Sequence, residues 1–150
     1  MPLRFFKSLF KKFKPIVISD DYLGEISNDR YGNWNGSKQF APTKSKIDFS
    51  FRTGDQPPSP KQIAFFRNVE SRFSDLWAGL RNTLFEDLDD FADGTTMEQL
   101  FDSLAVDAIT FWDVTNEPYK WEISCTTDLD DHIFGIEMAG FETQGFRMDG

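Results

Sequence analysis

Along this chain the spacing of apolar and polar residues changes character three times. Phe6, Leu9, Phe10 and Phe13 recur at helical spacing, opposed by Arg4, Lys7, Lys11 and Lys14, and Pro15 closes the segment. Residues 1–14 therefore form a basic amphipathic arm or helix ahead of a domain spanning 15–150. From Ile16 the rhythm shortens. "PIVISD" is an apolar run, "YLGEIS" a glycine-bearing one, and "NDRYGNWNG" is dense in turn residues. "KIDFSFRT" then alternates strictly, with Ile47, Phe49 and Phe51 on one side and Lys46, Asp48, Ser50 and Arg52 on the other. That is the signature of a half-buried strand, and three or four strands are expected in this stretch.

After the break "GDQPPSP", Ser59-Pro60-Lys61-Gln62 reads as a helix start: a serine cap, proline at the first position and a glutamine reaching back. Ile63, Phe66, Val69, Phe73, Leu76, Leu80, Leu84, Leu88 and Phe91 follow three or four apart as far as Gly94. They predict one long helix, either continuous or divided near Ser74-Asp75, where either residue can cap a second segment. Thr95-Thr96-Met97-Glu98 predicts a short second helix with Met97, Leu100, Phe101 and Leu104 inward. Strands then resume in "AITFWDV", "YKWEISCTT", "HIFGIEM" and "FETQGFRM". Strands, then helices, then strands predict an α+β domain. Its antiparallel sheet is built from the N- and C-terminal meanders, with the long and short helices packed on one face.

Composition sharpens this picture. Phe supplies 17 residues against 3 Tyr and 4 Trp, a set suited to filling a core because Phe has no polar handle. The net charge of −9 is unevenly spread: five basic residues and no acid lie within residues 1–14. From Pro15 onward 11 basic residues face 25 acidic ones, a net charge of −14. Such a body repels phosphate backbones, so nucleic acid is not expected as a partner, and a basic protein surface is. The basic arm also suits an anionic membrane surface, or the protein's own acidic body. One cysteine permits no internal disulfide, no stretch reaches membrane-spanning length and lysines interrupt the N-terminal apolar run. A cytoplasmic protein is the expectation.

Three groups of residues are candidates for chemistry or contact. The segment "CTTDLDDH" brings Asp128, Asp130 and Asp131 up to His132, the only histidine, close to Cys125, the only cysteine. It reads either as a metal or catalytic centre or as a polar turn in which the aspartates satisfy backbone amides. Zinc normally takes three or four ligands including several His or Cys, and the calcium-loop spacing is missing. Cys125 alternates with Trp121 and Ile123 and should face the core. No glycine-rich phosphate loop, nucleophile elbow or cofactor motif is present, which leans the reading away from an enzyme. "FEDLDDFAD" gathers Glu86, Asp87, Asp89, Asp90 and Asp93 on a helix end whose dipole disfavours them, either as a solvated face or as a contact for a cationic partner. "YGNWNG" holds Tyr31 and Trp34, either as contact anchors or as a lid folded over the core.

Taken together, the Phe/Lys-rich start, "DDYLGEIS", the Trp-x-Gly of "NWNG", "PKQIAFFRNV", "YKWEIS" and "DDHIFGIEMAG" resemble an uncharacterised bacterial α+β domain family of this length. Members and relatives of that family occur among immunity proteins of toxin systems. The resemblance covers nearly the whole chain, and its motifs are structural rather than catalytic. It implies a non-enzymatic protein that occludes a partner, with a toxin as the candidate partner and no cofactor.

Overall fold

The computed structural model describes residues 13–87, 96–129 and 131–149, without the side chains of residues 83–87 and of Met97. Four strands, β1 (Val17–Asp20), β2 (Gly24–Asn28), β3 (Asn33–Phe40) and β4 (Ser45–Arg52), form the first meander. Helices α1 (Pro60–Asp87) and α2 (Met97–Ser103) follow. The second meander is β5 (Ala105–Asp113), β6 (Lys120–Thr126), β7 (Ile133–Ala139) and β8 (Glu142–Asp149). All eight strands join one sheet in sequence order, so the molecule is an α+β protein.

The sheet is mixed rather than antiparallel throughout, which corrects the sequence expectation. Neighbours within each meander run antiparallel, but β4 and β5 pair in parallel, Phe49 opposite Ile109 and Phe51 opposite Phe111. The reason is the connection. Parallel neighbours need a crossover, and the 28 residues of α1 supply it. At 1.5 Å per residue α1 runs about 42 Å, well beyond the roughly 27 Å of an eight-residue strand. The chain is thereby carried back to the end from which β4 started.

Helix α1 begins at the predicted box: Ser59 Oγ accepts from the Gln62 amide at 3.2 Å, and the Ser59 amide donates to Gln62 Oε1 at 2.8 Å. Gln62 Nε2 also donates to the Val114 carbonyl at 3.1 Å, tying the helix start to the end of β5. The helix passes Ser74-Asp75 unbroken. The second box lies one residue later than its expected start, on Thr96 and Gln99 rather than Thr95 and Glu98. Glutamine at the third helical position reaches the cap amide as glutamate would. Leu84, Leu88 and Phe91 of the predicted apolar stripe lie outside the described side chains.

The core sits between α1 and one face of the sheet. Phe66 is its hub, with ring centroids 5.4 Å from Phe49, 6.1 Å from Phe51, 5.0 Å from Phe111 and 5.6 Å from Tyr22. Beneath it Phe51 and Phe111 stack at 4.4 Å across the parallel junction. The stretch read as turn, "NDRYGNWNG", contributes its last four residues to β3. Gly36 lies there against the core, and a Cβ at that position would come within 2.6 Å of Phe49 Cζ. The glycine is what lets Phe49 lie across β3.

One ion pair is enclosed in this layer. Lys38 Nζ of β3 meets Glu70 Oε2 of α1 at 2.6 Å, with both side chains largely covered. The same ammonium lies 4.2 Å from the Tyr22 ring centroid. Burial, followed by the Glu70 charge, pushes the Tyr22 phenol well above its ordinary range. Removing one partner strands the other charge, whereas apolar residues at both positions avoid that cost. Lys38→Met should therefore lower unfolding free energy by about 1–3 kcal/mol in urea titration, and Lys38→Met with Glu70→Leu should restore most of it. A single variant as stable as wild type would show that the pair contributes nothing.

Candidate functional site

No described helix covers the second face of the sheet. Strand alternation places there Asn33, Asn35 and Ser37 of β3, Asp48, Ser50 and Arg52 of β4, Ala108 and Thr110 of β5, and Glu122 and Ser124 of β6. Gly135 and Glu137 of β7 and Gly145 and Arg147 of β8 complete it. The residues are small or polar, as expected of a sheet face left to solvent.

At the Arg52 end a hollow of about 280 Å³ is lined by Arg52, Thr110, Trp112, Glu122, Glu137 and Arg147. Alternation places Trp112 on this face with Ala108 and Thr110, and at the β5–β6 register shift between Phe111 and Asp113 its indole is 40% exposed. Arg147 crosses over β7 to meet Glu122 Oε1 at 2.8 Å, and its Nε meets Asp149 at 2.8 Å. Gly135 makes this crossing possible, since a Cβ there would lie 3.0 Å from Glu122 Oε1 and 3.2 Å from Arg147 Nη2. Glu122 and Glu137 are direct cross-strand neighbours, a like-charge pairing that Arg147 offsets.

Beside this end stands the β2–β3 hairpin, organised by Asp29. Its Oδ1 accepts from the amides of Tyr31 at 2.8 Å and Asn33 at 3.0 Å, and its Oδ2 accepts from the side-chain amides of Asn33 at 3.0 Å and Asn35 at 3.3 Å. The Gly54 amide donates to the Gly32 carbonyl at 3.0 Å, bracing the hairpin against the β4–α1 loop. Both glycines adopt positive φ. The tip presents Tyr31, 77% exposed.

The residues singled out from sequence are dispersed. Tyr31 is displayed, but Trp34 is 1% exposed and donates its Nε1–H to the Gly54 carbonyl at 2.9 Å, so it is core and not a contact anchor. An apolar ring with a satisfied N–H gains more inside than on the surface. Glu86 and Asp87 fall in the last turn of α1 with side chains outside the described set, and Asp89, Asp90 and Asp93 lie outside the described residues. Asp128 and Asp131 are exposed, Asp130 is outside the described residues, and His132 is half-buried beside the Phe134 ring. Among the described residues, no three His, Cys, Asp or Glu side chains gather as a metal site. Cys125 is sealed in the core; burial, and secondarily Asp107, push its thiol up to about 12, which removes it as a nucleophile near neutral pH. The basic arm through Lys12 lies outside the described residues, and no described helix is long and apolar enough to cross a membrane.

The hollow was missed from sequence because its residues come from five strands and meet only once the register is known. The readable signal was Trp112, an aromatic on the polar phase of "AITFWDV".

On the molecular side, a larger hollow of about 520 Å³ opens at the opposite end, between α1 and the β3–β4 turn. Phe73, Trp77, Leu104 and Val106 line it with the hydroxyls of Thr43, Ser45 and Ser74. Compared with protein-family models, curated proteins and solved structures, the chain matches none of them.

The hairpin makes a pH prediction. Hydrogen bonding, led by the Asn33 amide, holds the Asp29 carboxyl at about 2, below its ordinary 3.8. A carboxylate depressed on folding contributes stability that is complete above its unfolded value and lost as pH falls through its folded one. Side-chain NMR titration should therefore give Asp29 a pKa of about 2, with hairpin order lost below about pH 4 only as that proton binds. Asp29→Ala should expose the Tyr31 and Asn33 amides to exchange at neutral pH without loosening β5–β7. A titration at the ordinary carboxylate value would contradict the geometry.

Proposed function

We propose that this chain is a non-enzymatic binding domain that occludes a basic partner protein, in the manner of an immunity protein blocking a toxin. The observation that carries the reading is the sheet face without a helical cover, with exposed Trp112 in its hollow and Tyr31 on a braced hairpin at the same end. Trp, Tyr and Arg dominate the energetics of protein contacts, and rigid display lowers the cost of ordering them. The net charge of −14 from Pro15 onward supplies the second support, because it speeds encounter with a cationic surface. In this reading Glu86, Asp87, Asp89, Asp90 and Asp93, with Asp128, Asp130 and Asp131, steer the partner, while the sheet face and Tyr31 hold it. The basic arm is a separate element, suited to a membrane surface or to the acidic body.

The test is affinity capture from the native host followed by an activity assay of the captured protein. The chain should retain a basic protein, suppress that protein's activity and release it as salt is raised. Tyr31→Ala should weaken capture about tenfold or more, as loss of a contact anchor does. Reversing the five acids between 86 and 93 should slow association. An acidic partner, a partner whose activity is untouched, or capture unchanged in both variants would contradict the proposal.

A further inference from the structure

We propose that the hollow lined by Arg52, Thr110, Trp112, Glu122, Glu137 and Arg147 receives an arginine side chain of the partner, its guanidinium stacked on Trp112 and paired with Glu137. This rests on the reading that the partner is a basic protein, and it names the contact that would give that partner its specificity. Size is the first argument. About 280 Å³ falls below the range of drug-sized ligand pockets but accommodates one long side chain.

Charge is the second. Arg147 is engaged by two carboxylates, Glu122 and Asp149, each at 2.8 Å. Arg52 donates to Asn33 Oδ1 at 3.4 Å and supplies the other cation of the wall. Glu137 makes no ion pair among the described residues, and a Cβ on Gly145 would lie 3.3 Å from its Oε2, so the glycine leaves that carboxylate its room. Within the lining Arg52 and Arg147 balance Glu122 and Glu137, so what an entering cation would meet is the Glu137 carboxylate, which Arg147 leaves without an ion pair by engaging Glu122 and Asp149.

The indole is the third. Lys120 Nζ already lies 5.6 Å from the Trp112 ring centroid, near the outer limit of cation–π attraction, so the ring attracts a cation and retains open surface for a closer one. A guanidinium fits both partners better than an ammonium. It is planar, stacks on an indole and forks onto a carboxylate, whereas lysine offers a more strongly hydrated point charge.

The test uses the full chain, uniformly labelled for NMR, with acetylated hexa-arginine and hexa-lysine peptides at low salt. Hexa-arginine should shift Thr110, Trp112, Gly135 and Glu137 first and bind about fivefold or more tighter than hexa-lysine. Glu137→Gln, which preserves shape, and Trp112→Ala should each weaken hexa-arginine about fivefold or more, while Glu25→Gln, away from the hollow, should change it less than about twofold. Binding that maps elsewhere, or that is unmoved by Glu137→Gln, would overturn the hollow as the arginine site and leave the basic-partner reading standing. Absence of binding by either peptide would overturn the basic-partner reading itself.

Discussion

Everything in this molecule follows from how Phe66 closes over the stacked Phe51 and Phe111 rings at the parallel junction of β4 and β5. Among the described residues the two meanders pair along that junction, and the connection that makes it parallel is the same helix that covers it. One helix about 10 Å across must shield a sheet whose seven inter-strand spacings span roughly 34 Å. Bulky side chains extend its reach: Phe65 packs edge-on to Tyr119 and Trp121 over the second meander, and Phe73 packs on Phe40 over the first. This accounts for the Phe-rich composition better than any recognition role. Toward the outer strands the cover thins, and Ile18 and Phe146 are only partly buried.

A single helical layer also determines what remains open. With the crossover committed to one face, the other must be stable in water, and the strands meet that demand with small polar residues and glycines. Within this bland surface three features depart from simple solvation: an exposed indole, Trp112, on the polar phase of β5, two glycines that let charged side chains lie flat, and a hairpin cross-linked by one carboxylate. The first two carry a cost, and so does the Glu122–Glu137 pairing beside them. An exposed indole forgoes burial, glycines weaken strands and a like-charge pair needs an arginine to offset it. Their convergence at one end of one face is what the proposed binding role rests on.

Much of the fold was legible in sequence because local rules and tertiary demands agree. The alternation of Ile47, Phe49 and Phe51 marks β4, the Ser59–Gln62 pair marks the start of α1, and the Phe66–Val69–Phe73–Leu80 stripe is buried as its period requires. What stayed open or was missed is what depends on partners distant in sequence. Trp34 sits among turn residues, yet its ring is drawn inside once Gly54 offers a carbonyl twenty residues away. Gly36 resembles a turn glycine but is a strand glycine that yields to Phe49. The parallel pairing of β4 and β5 leaves no local trace, since either direction of β5 satisfies the same alternation. The Arg52–Trp112–Glu137 hollow is invisible for the same reason.

One face of the sheet is covered by α1 while the other stands open, and the tryptophans report on this directly. Hydroxyl-radical footprinting of the intact chain, read by mass spectrometry, should oxidise Trp112 fastest and leave Trp34 and Trp121 nearly untouched, in line with exposures of 40%, 1% and 0%. Protection of Trp112 equal to that of Trp121 would mean that the second face is covered and that Trp112 is not displayed for contact.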